Sequence, residues 1–312
     1  MRFIGLMLLV CSCSLQAHSF DLESSSTSAS ESTSSQLSVH SSTQQEDCSP
    51  DCTEVGEWRF GIAFGAGHLS SPIAGEDDTW LPLIPRFSYY GESFFVDNFT
   101  VGYNLVETAS YSFDLIAEPN LDFLHFDTAS DLQKAFVTVS ISPMDGDPNN
   151  TEDLTLEVGD YDLSDRKVSY LAGPSFRFGG EIFSVSANYK KEVLGESNGR
   201  EAEVEFSYQK IGENWRFRAA VGAVWKSQEV VDYYYGISES ETPAFFEHLA
   251  FTATESALNP FVNLELQVQY SHAYTFIISL KRELLDKSVT QSPIVDTDTV
   301  NSFFIGVGYE FD

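Results

Sequence analysis

The chain repeatedly alternates apolar with small or polar residues at a period of two, and this constrains the fold more than any other feature. The closing stretch is a clear case. Phe303, Ile305, Val307, Tyr309 and Phe311 are apolar or aromatic, while Phe304, Gly306, Gly308 and Glu310 between them are mostly small or polar. Successive side chains of a strand point to opposite faces, so such a stretch reads as a sheet strand with one face in an apolar environment. Eleven more stretches repeat the pattern: Trp58 to Ala66, Leu81 to Tyr89, Phe95 to Leu105, Tyr111 to Leu115, Ala135 to Ile141, Val168 to Phe178, Phe183 to Tyr189, Val204 to Tyr208, Trp215 to Trp225, Val262 to Tyr270 and Tyr274 to Leu280. Several of these end in Trp, Tyr or Phe, as in the aromatic girdles at the two interfaces of a membrane. An even number of alternating strands predicts an all-β fold, a transmembrane antiparallel up-and-down β-barrel of about twelve strands. Ten is the fallback if Ser110 to Ile116 or Leu132 to Ile141 lies outside the wall.

The N-terminal part reads differently. Met1-Arg2, the apolar run Phe3 to Val10 and small residues up to Ala17 have the layout of a secretory signal, with cleavage after Ala17. A lipoprotein-type reading with Cys13 acylated is the alternative. The Ser- and Thr-rich residues 18–56 bury too little apolar surface to offset the entropy of ordering them, and read as a disordered periplasmic tether. Cys48 and Cys52 lie at its end, spaced for a small disulfide loop in an oxidising compartment. The barrel is then 57–312. After the signal no apolar run approaches the length of a membrane helix, so a membrane-spanning domain here is built of strands.

Forty-seven acidic against 17 basic residues leave a net charge of −30. That balance argues against nucleic acid as a partner, since phosphates need a basic face. It leaves room for a divalent cation at Asp77, Asp78 or the acidic span Asp145 to Asp165. The six histidines have no metal-ligand spacing. His68 shares a loop with Asp77 and Asp78, the single grouping that could activate water, but nothing else in the chain supports catalysis. No cofactor motif is present.

Link lengths predict the topology. The links at Gly91-Glu92, Gly179-Gly180, Gly212-Glu213 and Ser271-His272 are short and read as periplasmic turns, joined on that side by a long one, Ala117 to Ser130. The stretches 68–80, 143–167, 229–259 and 286–301 read as outward links, with brief ones near Glu107 and at 196–200. Both termini then face the periplasm. Inside the wall, Glu203, Glu205 and Gln209 should oppose Arg216 and Arg218. A two-residue turn at Gly212-Glu213 pairs Gln209 with Arg216 and sets Glu205 diagonal to Arg218, a charge ladder narrowing the lumen.

Residues 61–105 carry a Gly-rich strand, then Gly75-Glu76-Asp77-Asp78, then Leu81-Pro82-Leu83-Ile84-Pro85, then a second Gly-rich strand. With Tyr233-Tyr234-Tyr235-Gly236-Ile237, Gln291-Ser292-Pro293-Ile294-Val295 and Gly308-Tyr309-Glu310-Phe311, this order resembles the MipA/OmpV family of outer-membrane proteins from about Trp58 onward. Ile73-Ala74 stands where the family commonly has Tyr-Pro, and Asp312 extends past the terminal Phe. The resemblance implies an outer-membrane barrel set in lipid, without catalytic residues. It also implies a structural or interaction role as a scaffold for a murein lytic transglycosylase and a murein synthase. The alternative is a porin-like passive channel or a surface adhesin, with Tyr233 to Tyr235 and Phe245-Phe246 as adhesive aromatics.

Overall fold

The computed structural model describes residues 55–126, 166–242, 250–271 and 273–311. Thirteen strands form one antiparallel sheet closed on itself. In chain order they are β1 (Trp58–Leu69), β2 (Thr79–Trp80), β3 (Leu83–Tyr90), β4 (Phe94–Asp97), β5 (Thr100–Glu107), β6 (Tyr111–Pro119) and β7 (Tyr170–Gly179). They continue with β8 (Phe183–Glu192), β9 (Arg200–Ile211), β10 (Trp215–Lys226), β11 (Ala257–Gln269), β12 (Tyr274–Leu284) and β13 (Thr299–Phe311). Strands β2 and β3 both pair with β1, either side of Leu81-Pro82, and occupy one place in the wall. The barrel therefore has twelve staves, each but the seam joined to its neighbour in sequence. Closure abolishes free sheet edges, which would leave unpaired backbone groups in hydrocarbon.

The seam is β1 against β13, with Phe60 opposite Phe311, Ala63 opposite Gly308 and Gly65 opposite Gly306. Phe60, Phe64, Ile305, Val307 and Phe311 are exposed on the outward face, while Ala63 and Phe304 are buried inside. The alternation thus means hydrocarbon outside and a filled lumen inside. Small inward residues at the seam make room for Phe304: a Cβ added to Gly306 would lie 2.7 Å from its ring and 2.4 Å from the Phe64 carbonyl. Phe304 packs with Ala63, Ile84 and Ile277 as an apolar belt inside the barrel.

The long links all begin and end at one rim, together with the two-residue turn 98–99, and the other rim carries only short turns. Turns 91–93, 108–110, 180–182, 212–214 and 270–273 lie with Trp58 and Phe311 at one rim, the terminal rim. The described link residues 70–78, 98–99, 120–126, 166–169, 193–199, 227–242, 250–256 and 285–298 lie at the other.

Two details depart from the sequence reading. Phe95 to Leu105 is not one strand but a hairpin, β4 and β5, with Asp97 opposite Thr100. Asn98 turns it with φ 52°, a left-handed conformation that asparagine tolerates, and its Oδ1 accepts the Phe87 N–H at 3.2 Å. The extra stave reverses the direction of the next strands. The turn after Glu107 therefore falls on the terminal rim, and the link beginning at Asn120 falls on the opposite one. Strand β6 pairs directly with β7, Tyr111 opposite Phe178 through Pro119 opposite Tyr170, so no strand stands between them. Ala135 to Ile141 lies outside the described residues. Twelve staves are reached with β4 in the place assigned to that stretch.

Candidate functional site

The described parts of several links at the long-link rim pack together into a cap with its own apolar core. One contributor is helix α1, Gln228–Tyr235, which places Val230, Val231, Tyr234 and Tyr235 on one face. Its first turn is anchored by Ser227, whose carbonyl accepts from Val230 and Val231 and whose hydroxyl accepts the Arg200 N–H at 3.0 Å. It ends at Gly236, where an added Cβ would lie 2.2 Å from the Asp232 carbonyl. The other contributors are Ile73 from the first link, Phe123 and Phe126 around the 3-10 turn Leu121–His125, and Ala253. Val289 of helix α2, Lys287–Thr290, and Ile294 complete it. Tyr234 is 0 % and Tyr235 1 % exposed. Burying side chains of this size stabilises by roughly 1.5–3 kcal/mol each, which is why links without strand pairing still pack.

Polar groups tie this core to the wall. Lys226, the last residue of β10, donates to both Asp122 oxygens, at 2.6 and 2.7 Å. Asn120 Nδ2 donates to Glu201 Oε1 at 2.6 Å, and Asn120 Oδ1 accepts the Asp122 N–H at 2.8 Å. Arg166 reaches Glu241 at 2.7 Å and the Gly236 carbonyl at 2.9 Å. Ser292 Oγ donates to the Tyr235 carbonyl at 2.6 Å. Burial drives the His125 imidazole down to about pKa 4 despite the neighbouring Asp122, and drives the Tyr234 and Tyr235 hydroxyls far up.

The family-motif positions lie mostly in or under this cap. Gly75 turns the first link with φ +83°. Asp78 accepts from the Ser71 N–H at 3.0 Å and pairs with His68 Nε2 at 2.9 Å, while His68 also packs on Trp80 and Phe303. That places the histidine on the outward face in an aromatic girdle. Asp77 does not join it in an observed ion pair, and among the described residues no three His, Cys, Asp or Glu side chains gather as a metal site. Pro82 interrupts the stave between β2 and β3, its carbonyl accepting the Gly65 N–H at 3.0 Å, and Pro85 opposes Ile62 in the wall. Ser292 and exposed Pro293 belong to the cap link rather than to a closing strand, with Val295 bridged to Ile73. Tyr309 and Phe311 do close the wall, edge to face at 5.1 Å. Tyr234 and Tyr235 are core residues, not an adhesive surface. Cys48, Cys52, Phe245-Phe246 and the span Asp145 to Asp165 lie outside the described residues.

Below the cap the lumen carries the expected charges in a shifted register. Arg218 opposes Gln209, Arg216 opposes Ile211, and Glu205 opposes Gly222. The two-residue turn was one residue short: 212–214 separate the strands, and Gly212 N–H donates to the Trp215 carbonyl at 2.8 Å. The pairing moves by two places, so every side chain keeps its face. Arg218 still reaches Glu205 in an ion pair. Arg216 turns instead to β11, donating to Gln267 Oε1 at 3.1 Å, and Glu203 lies between Asn188 and Val224. Lys190 pairs with Glu118 across β7.

Toward the terminal rim the lumen widens into a vestibule of about 1150 Å³, whose lining includes Arg59, Arg86, Arg177, Arg216, Asp97 and Asp114. Sequence reading missed both cap and vestibule, although the uninterrupted Tyr233 to Tyr235 run was a signal that one link carries buried material.

The family described as MltA-interacting protein MipA matches this chain over residues 62–311, from within β1 to the end of β13. YiaT of Escherichia coli K12, named as a candidate outer membrane protein, is 26% identical over 80% of this chain and 90% of its own. The MltA-interacting protein of the same strain is 22% identical over 82% of this chain and 91% of its own. Among solved structures, the NanC porin aligns with 80% of this chain and 98% of its own at 10% identity and a TM-score of 0.38. With nearly the whole wall inside the matched span, the chain is an outer-membrane β-barrel that belongs to the MipA family.

Proposed function

We propose that this protein is an interaction barrel that holds a murein-processing enzyme at the outer membrane, and not a constitutive pore. The carrying observation is the cap: several links pack an apolar core at one end of the barrel, where the inward-facing Lys226 and Glu201 are tied to Asp122 and Asn120, and a vestibule lies toward the other end. A passive channel needs a continuous aqueous path, and a twelve-stranded barrel is narrow enough for side chains and links to fill it. The name of the MltA-interacting relative supports a murein enzyme as the partner class, and the family resemblance adds a murein synthase beside a murein lytic transglycosylase.

In this reading the terminal rim faces the periplasm. Residues 1–17 are a cleaved signal and 18–56 a periplasmic tether. The rim offers exposed apolar groups for docking, among them Phe94, Ile182 and Tyr270, the last 90 % exposed. No chemistry is assigned to the barrel, because the His68–Asp78 pair faces outward among aromatic rings and serves the girdle.

The runner-up is a passive channel whose cap opens, favoured by the four arginines and several carboxylates of the vestibule. Planar-bilayer recording of the pure protein, alongside recovery of murein enzymes from cross-linked cells, separates the two. The interaction reading expects murein enzymes in the cross-linked fraction and little conductance. Steady ion-selective channels altered by replacing Glu205 and Arg218 together, with no murein enzyme recovered, would reject it.

A further inference from the structure

The outward face of the wall carries little charge, and all of it in the strands is basic. Among the described strand residues every Asp and Glu belongs to the inward register set, whereas Lys191, Arg200, Lys210 and Arg282 belong to the outward one. In a chain with 47 acidic and 17 basic residues this is the reverse of the overall balance.

Lys191 and Arg200 stand directly opposite one another across β8 and β9 at the capped rim, both exposed. Beneath them on the same face come Tyr189 with Ala202, Ala187 with Val204, and Val185 with Phe206. Tyr189, Val204, Val185 and Phe206 are exposed, so this pair sits on the edge of the apolar band. Neither side chain makes an ion pair among the described residues. Their strand neighbours Lys190 and Glu192 turn inward, and Glu229 of α1 feels the Arg200 charge without forming a salt bridge to it. Arg282 likewise makes no ion pair among the described residues at the same rim, beside a groove of about 230 Å³ lined by Val262, Leu264, Leu280 and Phe303.

Like charges directly opposite in an antiparallel pair repel and weaken the ladder. An anion placed between them reverses the sign, and at the edge of a hydrocarbon band that anion is a lipid phosphate. A phosphomonoester carries close to two negative charges, which matches two adjacent cations better than the single charge of a phosphodiester headgroup. We propose that Lys191 and Arg200 clamp a phosphomonoester of lipid A, the glycolipid of the outer leaflet. This goes beyond partner binding and rests only on the orientation given above.

The test uses the full barrel purified in detergent and native mass spectrometry with three probes: diphosphorylated lipid A, its monophosphorylated form, and phosphatidylglycerol. The wild type should retain diphosphorylated lipid A most strongly. A Lys191→Gln, Arg200→Gln variant should retain about tenfold less or weaker still, since each basic group near a lipid surface contributes on the order of 1 kcal/mol. Both substitutions are at exposed positions, and an unchanged heat-dependent gel shift checks that the variant is folded. Equal retention by the variant would overturn the proposal, and so would a wild type that holds phosphatidylglycerol as tightly as lipid A. Protease accessibility of the two rims, measured separately, distinguishes failure of the clamp from failure of the orientation.

Discussion

Lys226 and Asp122 stand 104 positions apart in the chain, yet the Lys226 ammonium donates to both oxygens of the Asp122 carboxylate at 2.6 and 2.7 Å. One is the last residue of a wall strand and the other lies in the 3-10 turn of the cap, so this buried pair fastens cap to barrel. Removing one partner of such a pair leaves the other charge buried and unbalanced, at a cost of about 3–5 kcal/mol. Asp122→Ala should therefore release the cap while the wall stays folded. The expected result is new protease cleavage between 227 and 242 and a rise in bilayer conductance, with the heat-dependent gel shift retained.

His125 predicts how the cap responds to acid. Its folded value of about 4 lies below the usual value near 6.5, because burial disfavours the imidazolium. The unfolded state thus binds the proton more readily, and the cap is at full strength above about pH 6.5. Stability is lost as pH falls from there toward 4, by about 3 kcal/mol in total, and this group contributes no further loss below 4. Cap proteolysis monitored from pH 7 to 4 should accelerate in the wild type, and the acceleration should be smaller in His125→Gln.

Phe304 fills the lumen at the closing seam, 7 % exposed, with its ring against Gly306 and Gly67. Phe304→Ala should destabilise the barrel by about 3–5 kcal/mol through the cavity it leaves. Gly306→Val should also destabilise it, since its Cβ meets the Phe64 carbonyl of β1 as well as the ring. A lowered temperature for the gel-shift transition in both variants is the measurement. An unchanged temperature would show that the seam does not depend on this packing.

Orientation predicts a simple asymmetry. A protease site inserted at exposed Asn198, in the link between β8 and β9, should be cut on intact cells, while one near Ser35 should be protected until the outer membrane is breached. The reverse pattern would place the cap in the periplasm and the termini outside.

The alternation alone determined most of the wall: with one face in hydrocarbon, a period of two assigns each strand residue to lipid or lumen, and Phe303 to Phe311 or Trp215 to Trp225 needed nothing more. It also carried the charge inventory of the lumen, so Glu205 and Arg218 were found together. It could not set their register, because a slip of two places leaves every residue on its face and the hydrophobic pattern unchanged. The turn at Asn98 was hidden for a related reason, since Phe95 to Leu105 keeps its alternation well enough through the hairpin to pass for one strand. The cap was decided wholly by tertiary structure. Its core draws Ile73, Phe123, Tyr234, Val289 and Ile294 from links far apart in sequence, and no pattern within one link says which other link its apolar residues will meet. Only closure of the barrel brings them to one rim, where burial against each other replaces the water they would otherwise face.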